Sequence, residues 1–146
     1  MQNGLPKYKL NENLISMERL DGEVIIISFA SGKYYSSSET GADVLWLLKQ
    51  SVDPIIWEKV LKNRFNLDEF PFLDVSNFLK KCHLEGIVTE FSGELHGEPD
   101  LPQDYDLKTW KTPELLAFAD LQDLLMVDPI HDSSLEGWPQ LKSDDE

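Results

Sequence analysis

Alternating hydrophobic and polar positions near the start of the chain predict a small antiparallel sheet. Residues 14–20 alternate loosely, as a half-buried strand does. The Asp-Gly pair at 21–22 suits a tight hairpin turn, because glycine tolerates positive φ. The β-branched run 23–29 predicts a central strand. A turn at 31–32 then leads into a short aromatic strand, residues 33–36, so we expect a three-stranded meander.

Helical spacing replaces alternation after residue 36 and predicts three helices. The segment Ser37-Ser38-Glu39-Thr40 offers several possible N-caps for a first helix that ends near Lys49. Asp53-Pro54 supplies an N-cap and an N1 proline for the second helix. Its predicted inner face holds four apolar residues: Ile55, Ile56, Val60 and Leu61.

The third helix begins between Asp68 and Asp74 and ends at Glu85-Gly86, where glycine can terminate it. Its apolar stripe consists of Phe72, Val75, Phe78, Leu79 and Cys82. Three helices packed on a three-stranded antiparallel sheet give an α+β fold class, a body similar to a winged helix.

Residues 92–106 combine glycine, proline and acidic residues without an apolar period, which is typical of a linker. Thr112-Pro113-Glu114 then resembles a helix start. The apolar residues that follow at helical spacing are Leu115, Phe118, Leu121, Leu124 and Leu125. We therefore predict a domain at 1–91, a linker at 92–106, and an acidic C-terminal extension at 107–146 with one short helix.

The charge of the chain is unevenly distributed. The net charge is -14, with 10 Lys/Arg and 13 Asp/Glu in residues 1–90 but 3 Lys/Arg and 14 Asp/Glu in residues 91–146. Because nucleic-acid binding depends on neutralising phosphates, this balance argues against a nucleic-acid partner.

Composition points to a soluble globular protein with 41% hydrophobic residues. We expect no membrane span, because no run of about 18 apolar residues occurs. The single cysteine, Cys82, excludes an internal disulfide, and we expect it to be buried rather than reactive. The first seven residues do not resemble a secretory signal. These features together favour a cytoplasmic location.

The order of elements in residues 14–90 resembles the PqqD family. The resemblance rests on the hairpin, the aromatic strand, the elbow Glu39-Thr40-Gly41-Ala42, the helix end Trp46-Leu47-Leu48 and the ending Leu84-Glu85-Gly86-Ile87-Val88. A serine stands where the family usually has an asparagine before the elbow.

This resemblance implies a non-catalytic, cofactor-free protein that recognises the leader of a ribosomally made precursor peptide and presents it to a maturation enzyme. It also implies a winged helix-turn-helix whose third strand pairs with the leader by β-augmentation. Carried onto this chain, the strand wall is Lys33, Tyr34, Tyr35 and Ser36. The helix wall is drawn from Val75, Phe78, Leu79, Cys82 and His83.

The extension carries a second resemblance. The segment 110–115, Trp-Lys-Thr-Pro-Glu-Leu, is similar to the aromatic-x-x-Pro-x-Leu pattern in leaders of lasso-peptide precursors. Trp110, Pro113, Leu115 and Phe118 would then form a leader-like ligand tethered to the chain's own groove. An exchange of tails between two copies would give a homodimer.

The most enzyme-like cluster lies at residues 128–132, where His131 is flanked by Asp128 and Asp132. Two carboxylates beside one histidine fall short of a catalytic or metal site. We expect this segment to be a docked or recognition element, with Gly137-Trp138-Pro139 as its anchor.

Two alternatives to the adaptor function stay open. The chain could be a fused substrate whose tail, residues 126–146, is bound by the body and modified. It could also be a winged-helix transcription regulator, although Asp74, Glu85 and Glu90 accompany Lys80 and Lys81 where a regulator needs basic residues.

Overall fold

A computed structural model describes residues 4–107 and 109–119. Its mixture of helices and antiparallel sheets confirms the α+β class. The elements in chain order are β1 Tyr8–Leu10, β2 Ile15–Leu20, β3 Glu23–Ser28, β4 Tyr34–Ser38, α1 Thr40–Lys49, α2 Pro54–Phe65, α3 Phe72–Leu84, β5 Val88–Glu90 and β6 Leu116–Phe118.

The larger sheet has the strand order β2-β3-β4-β6. The predicted hairpin is present, with Asp21 at φ 53° and Gly22 at φ 77° in its turn, the left-handed backbone that a type I′ turn needs. Strands β2, β3 and β4 form the predicted meander. The predicted total of three strands is wrong, because β6 from the extension pairs with the outer edge of β4.

A second sheet, absent from the sequence prediction, joins the two ends of the body. In it β1 pairs antiparallel with β5, and Leu10 lies opposite Val88. Strands of three residues are too short to display a period of two, so their pairing depends on tertiary contacts.

The core lies between the larger sheet and the helices. Val24 and Ile26 point inward from β3, and both are fully buried. In α2 the buried face comprises Trp57, Leu61 and Phe65. Ile55 and Ile56 are 39% and 38% exposed, so the predicted inner face of α2 is wrong except at Leu61 and partly at Val60. The large indole of Trp57 takes the inner position.

Helix α3 follows its sequence signals closely, whereas the start of α1 differs from its predicted form. The apolar stripe of α3 is buried at Val75, Phe78, Leu79 and Cys82, as predicted. The residue before α1 is Glu39, at φ 55° and ψ -106°. This is not the extended conformation of an ordinary N-cap, and the predicted serine or threonine cap is replaced by a sharp elbow.

The predicted helix start at 112–114 is wrong. Residues 111–115 are irregular and residues 116–118 form β6. The rest of the predicted helix (Leu121, Leu124 and Leu125), the cluster at 128–132 and the segment Gly137-Trp138-Pro139 lie outside the described residues.

Candidate functional site

The free edge of β4 is occupied by the chain's own extension. Strand β6 runs antiparallel to β4, with Phe118 opposite Tyr34, Ala117 opposite Tyr35 and Leu116 opposite Ser36. Such pairing satisfies the main-chain donors and acceptors of a sheet edge without requiring a particular side chain.

One further contact extends this pairing toward the elbow before α1. The Ser37 hydroxyl donates a hydrogen bond of 2.6 Å to the Glu114 carbonyl. A Cβ atom added at Gly41 would overlap Ser37 Oγ and lie 3.4 Å from the Glu114 carbonyl oxygen. Glycine at position 41 therefore allows Ser37 to reach the extension.

The extension enters this site at Trp110. The Trp110 ring meets the Phe65 ring edge-on, with centroids 5.3 Å apart and planes at 88°, a favourable aromatic geometry. Trp110 Nε1 donates to Asp74 Oδ2 at 2.9 Å, and the Thr112 hydroxyl donates to the same oxygen at 3.3 Å. Asp74 thus holds two side chains of the extension.

Pro113 and Leu115 lie inside, between β4 and α3. Both are buried, and Leu115 is only 4% exposed within the main hydrophobic core. The α3 side of this cleft is lined by Asp74, Asn77, Phe78 and Lys81. We call the space between β4 and α3 the peptide cleft, and residues 110–118 the docked segment.

The predicted wall residues have different positions relative to the peptide cleft. Tyr34, Tyr35 and Ser36 face β6 across the strand pairing, whereas Lys33 is exposed just before β4. Of the predicted helix residues, Phe78 lines the cleft. Val75, Leu79 and Cys82 are buried in the core, whereas His83 is exposed and its ring lies tilted against that of Tyr8, with centroids 5.3 Å apart and planes at 48°.

The two tyrosines of β4 differ in burial. Tyr35 is 1% exposed and Tyr34 is half-buried, as expected for neighbours on opposite strand faces. The Tyr35 hydroxyl donates to Glu85 Oε1 at 2.9 Å. Burial, together with this hydrogen bond, raises the pKa of Tyr35. The hydrogen bond also connects β4 to Glu85 at the end of α3.

The linker is anchored to the body through a group of buried charges. Asp43 on α1 is fully buried and pairs with Arg19 of β2 at 3.0 Å and with Arg64 of α2 at 2.7 Å. Arg19 also binds both carboxylate oxygens of Asp104, at 2.8 and 2.9 Å. The Tyr105 hydroxyl donates to Asp43 Oδ2 at 2.7 Å. We call these five residues the Arg–Asp cluster.

Electrostatics within the cluster favour the charged forms of Asp104 and Arg19. The hydrogen bond from Arg19 is the largest influence on the pKa of Asp104, which is lowered to about 2. Burial alone would lower the pKa of Arg19, but hydrogen bonds to Asp104 and Asp43 outweigh it and the net shift is upward. Burial and the bond to Asp43 raise the pKa of Tyr105.

Earlier parts of the linker are also attached to the body. The Gln50 side chain donates to the Asp100 carbonyl at 2.7 Å and accepts from the Asp100 amide at 3.1 Å. The Gly97 amide donates to the Ser51 carbonyl at 2.9 Å, and a Cβ at Gly97 would overlap the Gln50 carbonyl. Residues 92–106 contain neither helix nor strand, yet they follow a defined path over the body.

Sequence reasoning missed Asp74 and Asn77 as cleft residues because it selected the apolar stripe of α3, whose members mostly face the core. It also missed the Arg–Asp cluster. One signal was available: Asp43 stands between Ala42 and Val44-Leu45 in an otherwise apolar helix. A carboxylate on such a face needs a buried partner.

Metal and thiol chemistry find little support among the described residues. Within 4–107 and 109–119, no group of three or more His, Cys, Asp or Glu side chains is placed to hold a metal ion. Over the same ranges, no helix is long and apolar enough to cross a membrane. Cys82 is fully buried, as predicted, and burial raises the pKa of its thiol to about 12. A thiol in this state is a packing residue.

Comparison of the chain with protein-family models, with curated proteins and with solved structures gave no match. The function of the chain must therefore be inferred from the geometry of the peptide cleft.

Proposed function

We propose that this protein is a non-catalytic peptide-binding adaptor. It recognises the leader of a ribosomally synthesised precursor peptide in the peptide cleft and presents the rest of that precursor to a maturation enzyme. The observation that carries this proposal is the extended docked segment, paired with β4 and in contact with α3 through Asp74. A cleft that accommodates one extended peptide has the main-chain groups and side-chain pockets to accommodate another.

Three features of the docked segment support recognition of a defined sequence pattern. Trp110 has an aromatic neighbour in Phe65 and a hydrogen-bond acceptor in Asp74. Pro113 and Leu115 are buried at spacings of three and five residues from Trp110. Pairing of residues 116–118 with β4 adds affinity that is independent of side chains. A ligand with an aromatic residue, then proline at the third and leucine at the fifth following position, satisfies all three.

We further propose that the body is a winged helix-turn-helix in the manner of PqqD proteins. The support is the order of its elements, a hairpin and third strand followed by three helices and a closing strand. In this role the protein works in the cytoplasm by positioning a substrate and needs no cofactor of its own.

The binding of a peptide in trans tests the proposed function directly. The probe is a fluorescently labelled synthetic peptide with the sequence of residues 109–119, and the protein is the full-length Trp110→Ala variant. This substitution weakens the chain's own docked segment while leaving the groove residues Phe65, Asp74 and Phe78 in place. We expect saturable binding by fluorescence anisotropy.

A peptide of the same composition in scrambled order is the matched control, and it should not bind. Absence of binding by the ordered peptide, in a variant shown to be folded by circular dichroism, overturns the proposed function. Binding of both peptides alike contradicts the sequence pattern derived from Trp110, Pro113 and Leu115.

A fused substrate is the second candidate function, and the position of β6 favours it. The chain continues from Phe118, at the end of the docked segment, for 28 further residues. In a precursor peptide, the leader that binds the adaptor is likewise followed along the chain by the core peptide that is modified. Mass spectrometry of the protein from its native host distinguishes the two, since only a fused substrate acquires a changed mass in residues 126–146.

A further inference from the structure

We propose that Asp104 and Tyr105 form a latch that keeps the peptide cleft closed by the chain's own docked segment. This inference rests on the proposed function and adds a form of regulation to the same cleft. The latch and the cleft use different contacts: Asp104 and Tyr105 contact β2, α1 and α2, whereas the docked segment contacts β4, α3 and the end of α2.

Charge balance explains why the latch binds firmly. The body contributes two buried cations, Arg19 and Arg64, whose side chains are 3% and 6% exposed. It contributes one buried anion, Asp43, to pair with both. Because an uncompensated buried charge is strongly unfavourable, the cluster requires a second anion. Asp104 supplies it through a two-oxygen bond to Arg19.

Tyr105 adds a hydrogen bond and a ring contact to the ion pairs of the Arg–Asp cluster. Its hydroxyl donates to Asp43, and its ring lies 5.5 Å from the Arg64 guanidinium carbon, within cation–π range. A Cβ added at Gly22 would lie only 2.7 Å from the Tyr105 Cβ. Glycine in the β2–β3 turn therefore leaves room for the Tyr105 side chain, and this part of the linker packs directly against the body.

The latch determines where the docked segment begins. Trp110 follows Tyr105 by five residues, a length that spans at most about 17 Å. Fixing Tyr105 to the body therefore confines Trp110 near Phe65 and Asp74, and the short tether raises the effective concentration of the docked segment to the order of millimolar or above. An external peptide must compete with this internal ligand, so its apparent affinity equals its intrinsic affinity multiplied by the fraction of molecules whose cleft is open.

Opening the latch is the predicted way to make the cleft available. The full-length variant Asp104→Asn removes the charge that pairs with Arg19 while preserving side-chain size. Asp106→Asn is the matched control, since it makes the same change at an exposed acid two residues away. Trp110→Ala provides the reference for an open cleft. The probe is again the labelled peptide 109–119, measured by anisotropy against each protein.

We expect Asp104→Asn to bind the peptide about tenfold more tightly than the wild type, because one hydrogen-bonded charge pair no longer holds the closed state. Asp106→Asn should match the wild type. Hydrogen exchange should quicken at the amides of residues 115–118 in Asp104→Asn, as in Trp110→Ala, but not in Asp106→Asn. If circular dichroism shows that Asp104→Asn is unfolded, Tyr105→Phe, which removes only the hydroxyl bond to Asp43, replaces it with the same expected direction.

The latch and the proposed function fail in different ways. Equal affinity of the wild type and Asp104→Asn, alongside tighter binding by Trp110→Ala, overturns the latch and supports the proposed function. The same gain in Asp106→Asn as in Asp104→Asn also overturns it, because the effect is then one of general charge. Absence of binding by Trp110→Ala overturns the proposed function itself.

Discussion

Ser37 donates its hydroxyl to the Glu114 carbonyl across 2.6 Å, joining the end of β4, two residues before the elbow, to a residue 77 positions further along the chain. Gly41 makes the contact possible by leaving space beside Ser37 Oγ. Through this bond the elbow, which looks like a turn in the sequence, becomes part of the peptide cleft.

Ser37→Ala should loosen the docked segment without unfolding the body. The substitution removes one hydrogen bond to a main-chain carbonyl, worth about 1 kcal/mol, so exchange at the amides of residues 115–118 should quicken roughly fivefold. The control is Ser38→Ala, at an exposed neighbouring serine, and it should leave those rates unchanged. Equal effects of the two substitutions would contradict the role assigned to Ser37.

Asp74→Ala should release Trp110 from its hydrogen bond. The indole N–H of Trp110 loses its acceptor, and its proton resonance should shift toward the position of a solvated indole in NMR spectra. Asp68→Ala changes an exposed acid shortly before α3 and should leave that resonance in place. An unmoved Trp110 resonance in Asp74→Ala would show that Asp74 does not hold the docked segment in solution.

Asp43→Asn should lower the free energy of unfolding by about 3–5 kcal/mol, because it leaves Arg19 and Arg64 buried with one anion instead of two. Urea denaturation followed by circular dichroism measures this change. Asp106→Asn serves as the surface control and should alter stability by less than about 0.5 kcal/mol. A similar small change in Asp43→Asn would mean that the cluster is not buried as described.

The pH dependence of linker anchoring depends on Asp104. Its folded pKa of about 2 lies below its ordinary value, so its stabilising contribution is fully present above about pH 4. The contribution is lost as the pH falls through the folded value. Titration of the Asp104 carboxyl by NMR should give an apparent pKa of about 2 in the wild type. An Arg19→Lys variant, which lacks the two-pronged donor, should give a higher value.

Cys82 should resist thiol reagents in the folded protein. It is fully buried and its pKa is raised to about 12, so almost no thiolate exists at neutral pH and little reagent can reach it. Labelling with an aromatic disulfide should proceed only in denaturant. Rapid labelling in buffer would show that α3 separates from the core in the native state.

Local sequence signals were sufficient for strands β2, β3 and β4 and for the three helices of the body, but not for the β1–β5 sheet. The Asp-Gly turn, the β-branched run of β3, the Asp53-Pro54 start of α2 and the stripe of α3 all act within a few residues, where backbone preference and apolar periodicity dominate. The same local signals predicted the wrong structure at residues 112–118, where the protein has an irregular segment and β6 instead of a helix. A Thr-Pro-Glu start followed by leucines is compatible with a helix, but pairing with the open edge of β4 satisfies the same main-chain groups and buries Leu115.

The sequence by itself determined that a third strand follows the hairpin and that a segment with apolar residues begins at Trp110. Only the tertiary structure decided that this segment lies in the peptide cleft and that the linker is attached through Asp104. It also decided that Asp74, rather than the buried face of α3, forms hydrogen bonds with the segment. The physical reason is distance along the chain: the contacts of Arg19 with Asp104 and of Ser37 with Glu114 join residues 85 and 77 positions apart. No local pattern of hydrophobic and polar residues encodes such a pairing.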